Sequence, residues 1–146
     1  MRDMMQQTPG FDLASFLPYQ LAVAAAQISR GFADRYRRDF GLTIPEWRVL
    51  AHLAQSGAVS VREIHQRVDM DKSKVSRAAA RLEQAGLIEK RENPDDRRLV
   101  DIRLTDPGQA LVARILPVAL AYQDEVLARL GDDAAPFRRA LERLSR

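Results

Sequence analysis

Short polar and cationic side chains share one predicted helix face in the middle of the chain. Ser73, Ser76 and Arg77 are three and four residues apart, so a helix would present them together. Arginine can bind a guanine edge through paired hydrogen bonds, and serine can bond to bases or phosphates. These residue types therefore indicate contact with the edges of DNA bases. The neighbouring cations suit contacts with phosphates, and they are Lys72, Lys74 and Arg81.

A second candidate group lies in a loop between two predicted strands. Arg97 and Arg98 follow Asp95 and Asp96 there. A carboxylate can hold a guanidinium in one orientation, and we expect Asp96 to orient Arg98 in this way. An arginine at a hairpin tip can enter a narrow minor groove, where the negative potential of DNA is deepest. The loop therefore predicts a groove contact by Arg98 and a phosphate contact by Arg97.

Two short helices are predicted to position the first group. Ser60 and Glu63 have the spacing of a capping box, and this first helix should end near Arg67. The second helix is predicted over Asp71–Ala85, with the aspartate as its N-cap and Gly86 as the residue that ends it. Its apolar face lies opposite the polar group and consists of Val75, Ala78, Ala79, Leu82 and Ala85.

A hairpin is predicted to position the second group. Its strands are expected over Leu87–Arg91 and Leu99–Leu104, separated by a run with strong turn chemistry. The second strand alternates, with Val100, Ile102 and Leu104 predicted to face inward. Residues 58–60 are expected to add a brief third strand. Two helices followed by such a hairpin can place a helix in one DNA groove and a ribbon beside it.

Two further helices are predicted before this unit. Leu13–Phe40 carries a long apolar stripe, and Pro18 is tolerated there only near the start of the regular helix. Thr43 and Glu46 form a capping box that begins the next helix, in which Trp47 is predicted to be a core residue. The long stripe has two interpretations, an ordinary core helix or a helix that pairs with a second copy of the chain.

Two more helices are predicted after the hairpin. Thr105 begins a long one, in which Pro117 should produce a kink. Gly131 ends it, and Asp132 or Asp133 caps a last helix. With the N-terminal helix, these elements are expected to interlock two chains.

Two runs, DKSKVSRAAARLEQAGLI and RENPDDRRLVDIRLTDPG, resemble the MarR family of bacterial winged-helix transcription regulators. The wing signature of that family matches at Asp96, Arg98, Leu104 and Thr105, and the flanking helices also fall where the family has them. The resemblance covers nearly the whole chain. It implies a homodimer that binds a pseudo-palindromic operator on double-stranded DNA. We predict a repressor, although the sequence does not distinguish repression from activation. The resemblance also implies release of the DNA by a small-molecule effector bound between the dimer helices and the winged domain.

Together these observations predict a mainly α protein with a small antiparallel β-hairpin or sheet: a winged helix-turn-helix with N- and C-terminal dimerisation helices. We expect a single domain over residues 1–146. Residues 1–12 would form a mobile arm, 13–40 and 106–146 the dimerisation helices, and 43–105 the DNA-binding region.

Composition narrows the class of protein. With 146 residues, 46% hydrophobic and 29% charged, the chain can bury the core of one globular domain. It has no cysteine, which excludes disulfides, thiol nucleophiles and the cysteine-based oxidant sensing of some MarR members. No apolar run is long enough for a membrane span or a signal core, so a cytoplasmic protein is expected. The net charge of +3 is weak evidence for DNA binding, whereas the placement of the cations is informative.

Other kinds of site find little support. His52 and His65 lack a metal-binding spacing, and Glu63 and Asp69 beside His65 make a poor ligand set. We therefore predict no metal, although some relatives of the family bind one and the possibility stays open. No glycine-rich phosphate loop or nucleophile–histidine–acid pattern is present, so neither an enzyme nor a cofactor is predicted.

Two alternatives to the regulator remain. A winged helix can serve as a protein-interaction adaptor without a DNA role, and a basic helix face can coat DNA without sequence preference. The sequence does not give the operator, or the identity of the effector, for which small aromatic acids are the class to screen.

Overall fold

The computed structural model describes residues 9–68 and 70–146, so Asp69 and most of the predicted N-terminal arm lie outside the described residues. The predicted mainly α fold with a small antiparallel sheet is confirmed. Single turns of 3₁₀ helix precede the first and last α-helices, at Leu13–Ser15 and Gly131–Asp133. The helices and strands are α1 (Leu17–Phe40), α2 (Ile44–Ser56), β1 (Val59–Ser60), α3 (Val61–Arg67), α4 (Lys72–Gln84), β2 (Ile88–Glu92), β3 (Val100–Leu104), α5 (Asp106–Leu130) and α6 (Ala134–Leu144).

The chain forms two compact units that divide within α1, after Gly31. In the first unit, Asp12 caps the 3₁₀ turn through a hydrogen bond from the backbone N–H of Ala14. The α-helix starts at Leu17, which leaves Pro18 in its first turn, where the missing N–H of proline does no harm. The second unit, residues 32–146, contains the end of α1 and all later elements.

The core of the second unit lies where α4 packs against α2 and α3. The inner face of α4 is confirmed at four of its five predicted positions, since Val75, Ala78, Ala79 and Leu82 are at most 1% exposed. Ala85 is exposed instead, because it is the C-cap of the helix at the surface. The residues that share this core with α4 come from every neighbouring element and include Val49, Leu50, Leu53, Ile64, Ile88, Ile102 and Ile115.

The three strands form one antiparallel sheet in the order β1–β3–β2, which confirms the predicted third strand. Ile102 of the central strand is fully buried opposite Val59. The prediction that Val100 faces the core is wrong, because this side chain is 44% exposed. Val100 pairs with Glu92 at the hairpin end, where burial fades along both strands beyond the cover of the helices.

Thr105 joins the start of α5 to the end of α4. Its hydroxyl accepts a hydrogen bond from the N–H of Gly108 and donates one to the carbonyl of Gly86, over 3.1 and 2.6 Å. A Cβ at Gly108 would lie 2.0 Å from the carbonyl oxygen of Leu87, so only glycine allows this approach. The start of α5 is therefore fixed against the sheet.

The last two helices extend from this junction. α5 runs without interruption through Pro117 to Leu130. Asp133 occupies the N-cap position of α6, but its side chain makes no capping hydrogen bond. The predicted cap is wrong because Asp133 already has helical backbone angles, whereas a capping side chain needs an extended residue. In the described part of the chain, no helix combines the length and the apolar character that a membrane crossing requires.

Candidate nucleic-acid interface

The outer face of α4 is exposed as the sequence predicted. Ser73, Ser76 and Arg77 all point away from the core, and Lys72 and Lys74 flank them at the start of the helix. Within residues 9–68 and 70–146, Arg77 makes no hydrogen bond or ion pair. No residue in these two ranges occupies the donors of its guanidinium, as a base or phosphate contact requires.

Asp71 organises the start of this helix. Its carboxylate accepts hydrogen bonds from the backbone N–H of Lys74 over 2.8 Å and from the hydroxyl of Ser73 over 3.1 Å. The bond from the Lys74 backbone, with that from Ser73 and the charge of Arg77, holds the pKa of Asp71 below its usual range. The hydroxyl of Ser73 thus donates within the protein, and it can still accept a bond from a base or bind water at a phosphate.

Arg81 differs from the other cations of α4. Its Nε–H donates to Glu46 of α2 over 2.9 Å, and the Glu46 side chain is only 10% exposed. The sequence suggested a phosphate contact for Arg81, and the structure gives it a second role that ties α4 to α2. The signal for this pair was weak, because Glu46 also occupies the acidic position of the capping box begun by Thr43.

The wing loop (residues 93–99) holds its arginines differently. Both carboxylate oxygens of Asp96 accept hydrogen bonds from the Arg98 guanidinium, each over 3.1 Å, and one also accepts from the Arg98 backbone N–H over 3.0 Å. The pKa of Asp96 is lowered first by the bond from the Arg98 side chain, and Arg62 of α3 adds a smaller electrostatic effect. The geometry that the sequence predicted for this pair is present. The side chain of Arg97 is exposed at the same tip.

Sequence reasoning missed the residues that build the wing loop. The amide nitrogen of Asn93 donates to both carboxylate oxygens of Asp101, over 3.0 and 3.1 Å. The amide oxygen of Asn93 accepts from the backbone N–H groups of Asp95 and Asp96, over 2.8 and 3.0 Å. An asparagine at the start of a turn is a recognisable signal, but nothing local marks Asp101 as its partner.

Comparisons with known proteins show which proteins this chain resembles. A family model described as MarR family matches residues 40–99. The HTH-type transcriptional repressor MdtR of Bacillus subtilis is 36% identical over 93 residues, which span 64% of this chain and 60% of that relative. A MarR family regulator from Silicibacter pomeroyi has a similar structure, with a TM-score of 0.77 and 29% identity over 92% of this chain and 98% of the other.

The chain is similar to the MarR family over residues 40–99 and shares the MarR fold. Members of this family are DNA-binding transcription regulators and not enzymes. The MarR fold is also that of Bordetella bronchiseptica BpsR, whose DNA binding is regulated by 6-hydroxynicotinic acid. That structure matches with a TM-score of 0.81 and 24% identity, over 92% of this chain and 96% of the other. After the corresponding elements of MarR structures, we name α4 the recognition helix and β2, β3 and the wing loop the wing.

A groove of about 940 Å³ lies on the second unit between the end of α2, strand β3 and the start of α5. Arg103 and Glu89 form an ion pair at its polar side, and Leu53, Val112 and Leu116 contribute apolar surface. The hydrogen bond from Arg103 holds the pKa of Glu89 below its usual range. In the described ranges, no cluster of three or more histidine, aspartate or glutamate side chains could hold a metal ion.

Proposed function

We propose that this chain is a sequence-specific DNA-binding transcription regulator, a homodimeric repressor of a pseudo-palindromic operator. The observation that carries the proposal is that two arginines are exposed on successive elements of the fold. Arg77 lies on the recognition helix and Arg98 on the wing. Arg77 has free donors for a base edge in the major groove, and Arg98 is oriented by Asp96 for the adjacent minor groove. Lys72, Lys74, Arg81 and Arg97 would bind phosphates, and Ser73 and Ser76 would contact bases or the groove.

Exposed apolar side chains of α5 and α6 support the dimer. Leu120, Phe137, Leu141 and Leu144 are 38–59% exposed on the single chain. The last three recur at helical spacing along α6, and this apolar stripe is exposed among the described residues of the second unit. A second copy covering this stripe would also give the symmetry that a palindromic operator requires. The two recognition helices must then lie about 34–36 Å apart, one turn of DNA.

The effector is proposed to be a small aromatic acid that binds in the groove beside α5. Its carboxylate would compete with Glu89 for Arg103, and its ring would pack against Leu53 and Leu116. The 6-hydroxynicotinic acid that regulates BpsR is an acid of this class. Since α5 is a dimerisation helix in this proposal, a ligand that favours another angle between α5 and the sheet would change the spacing of the recognition helices and release the DNA.

Fluorescence anisotropy tests the proposal. The parent protein is titrated into DNA that flanks its own gene, and into a shuffled duplex of equal length, at one salt concentration near physiological. Specific binding with two subunits per site is the expected result. Equal affinity for both duplexes and for a genome-selected site would favour the non-specific coating protein. No salt-dependent binding to any duplex would favour the protein-interaction adaptor.

The effector is tested on the complex formed in that experiment. We expect 6-hydroxynicotinic acid or a substituted benzoic acid to release the operator from the parent protein. Arg103→Gln should raise the acid concentration needed for release at least about tenfold, because a charge-assisted hydrogen bond is lost. Release from the variant at the parental concentration would contradict the assignment of the groove.

A further inference from the structure

Four residues of the wing form a continuous chain of hydrogen bonds that ends at Arg98. Asp101 accepts from the amide nitrogen of Asn93, and the amide oxygen of Asn93 accepts from the backbone N–H of Asp96. Asp96 in turn accepts from the guanidinium and the backbone N–H of Arg98. The orientation of the Asn93 amide follows from this chemistry, because a carboxylate only accepts and a backbone N–H only donates. Every group in the chain therefore has one possible role.

This chain of hydrogen bonds begins on the central strand of the sheet, which is paired on both edges. Asp101 lies on the central strand β3, where it pairs with Ser60 of β1 and Arg91 of β2. Asn93 follows Arg91 by two residues, so its side chain lies on the same face as Asp101, at diagonal distance across the hairpin. The contact therefore ties the first residue of the wing loop to a strand that is held on both edges.

Arg98, at the far end of this chain of hydrogen bonds, is its most exposed member. The Arg98 side chain is 89% exposed, and Asp96 is the residue that holds its guanidinium. A long exposed side chain normally samples many rotamers, and fixing it on binding costs free energy. A fixed Asp96 reduces this cost only if the loop that carries Asp96 is itself fixed. The two hydrogen bonds to the Asn93 amide oxygen, from Asp95 and Asp96, fix that part of the loop.

We infer that Asn93 and Asp101 are positioning residues for operator recognition, because their contact holds the wing loop in the shape that presents Arg98. This inference rests on the proposed function, in which Arg98 contacts the minor groove. Neither residue touches DNA in this scheme. Their effect reaches the operator through Asp96 and Arg98.

The negative charge of Asp101 and its positioning role predict opposite effects on DNA affinity when the carboxylate is removed. A carboxylate in the wing repels the phosphates of DNA, so its removal by itself should strengthen binding to any duplex. Its removal also frees Asn93 and loosens the loop, which should weaken only the binding that depends on Arg98. Asp101→Ala therefore distinguishes the two effects by the sign of the change.

The experiment measures the affinity of the parent and of variants for the operator and for a shuffled duplex at fixed salt. Asp101→Ala should weaken operator binding about tenfold, the equivalent of one charge-assisted hydrogen bond, and should bind the shuffled duplex at least as tightly as the parent. In an Arg98→Ala background, Asp101→Ala should cause no further loss on the operator, because the residue that it positions is absent. A partly unfolded variant would instead lose affinity for both duplexes.

The exchanged pair Asn93→Asp with Asp101→Asn is the rescue variant. It keeps the net charge, one of the two hydrogen bonds between the side chains and both bonds from the loop backbone. The amide introduced on β3 would donate to the carboxylate introduced at the start of the loop, and that carboxylate would accept from the loop backbone. We expect it to bind the operator within about twofold of the parent, and Asn93→Asp alone to lose at least about tenfold.

The outcomes separate this inference from the proposed function. Operator affinity that falls with Arg98→Ala but not with Asp101→Ala would overturn the positioning role and leave the regulator intact. Parental affinity of Arg98→Ala would overturn the wing contact itself. Failure of the exchanged pair to restore binding, with urea denaturation showing a folded protein, would also overturn the inference.

Discussion

Arg81 of the recognition helix donates its Nε–H to Oε1 of Glu46 in the first turn of α2, over 2.9 Å. The carboxylate is 10% exposed and the guanidinium side chain 49%. A nearly buried carboxylate needs a charged partner, because a buried charge that has lost its water and has no partner strongly destabilises the folded state. The pair therefore ties the C-terminal half of α4 to α2.

Glu46→Ala should lower the free energy of unfolding by about 1–2 kcal/mol, since one partner of a part-buried ion pair is removed and half of the pair is still screened by water. Urea denaturation at constant pH measures the change. Glu83→Ala is the matched control, because Glu83 pairs with Lys90 over 3.8 Å and both side chains are well exposed. The control should change stability by less than about 0.5 kcal/mol. Equal effects of the two variants would contradict the structural role of Glu46.

Arg77→Ala should weaken operator binding by about 1–3 kcal/mol and reduce the preference for the operator over a shuffled duplex, because a base contact is lost. Anisotropy at fixed salt measures both quantities. Lys74→Ala should weaken binding to the operator and to the shuffled duplex by the same factor. It should also reduce the steepness of log affinity against log salt by about one, as expected for a phosphate contact. Arg129→Ala, on an exposed position of α5, removes the same charge and controls for net charge. An Arg77 variant with parental selectivity would refute the base contact.

His52 gives the protein a predicted dependence of stability on pH. Its Nε2 lies 3.3 Å from the guanidinium of Arg67 and 3.3 Å from the hydroxyl of Ser56. Since arginine only donates, Nε2 must accept, which selects the neutral ring with its proton on Nδ1. Partial burial lowers the pKa of His52, and the charge of Arg67 lowers it further.

The sign of the effect follows from linkage. The unfolded chain protonates this histidine at a higher pH than the folded chain does, so the free energy of unfolding falls as the pH drops through the ordinary histidine range. His52→Gln should remove this part of the pH dependence, measured by urea denaturation at pH values above and below about 6.5. His65→Gln is the control and should leave the dependence in place. A His52 variant with the parental pH profile would contradict the assignment.

The proposed dimer is tested on α6. Leu141→Asp should shift the protein to a monomer at micromolar concentration, because a charge would be buried in the apolar stripe that the partner covers. Light scattering after size-exclusion chromatography measures the mass. Arg139→Asp, on an exposed position of the same helix, should leave a dimer. A parent protein of one-chain mass would refute the dimer, and a dimeric Leu141 variant would exclude α6 from the interface.

The sequence alone determined the local elements of this protein. Ser60, Thr43 and Asp71 each cap the predicted helix through the predicted side-chain bond, and Gly86 leaves α4 with a φ of 76°. These features involve residues within four positions of each other, so the sequence contains all the information that they need. The Asp96–Arg98 contact was predictable for the same reason, since its partners are two residues apart.

Only the tertiary structure decided which distant residues meet. Glu46 and Arg81 are 35 positions apart, and Asn93 and Asp101 are joined across a hairpin whose register the turn and the sheet set together. The exposure of Val100 has the same origin, because strand alternation predicts a face but not how far the helices cover it. A periodic pattern determines the direction of a side chain along its own element, whereas its partner depends on the packing of all the elements at once.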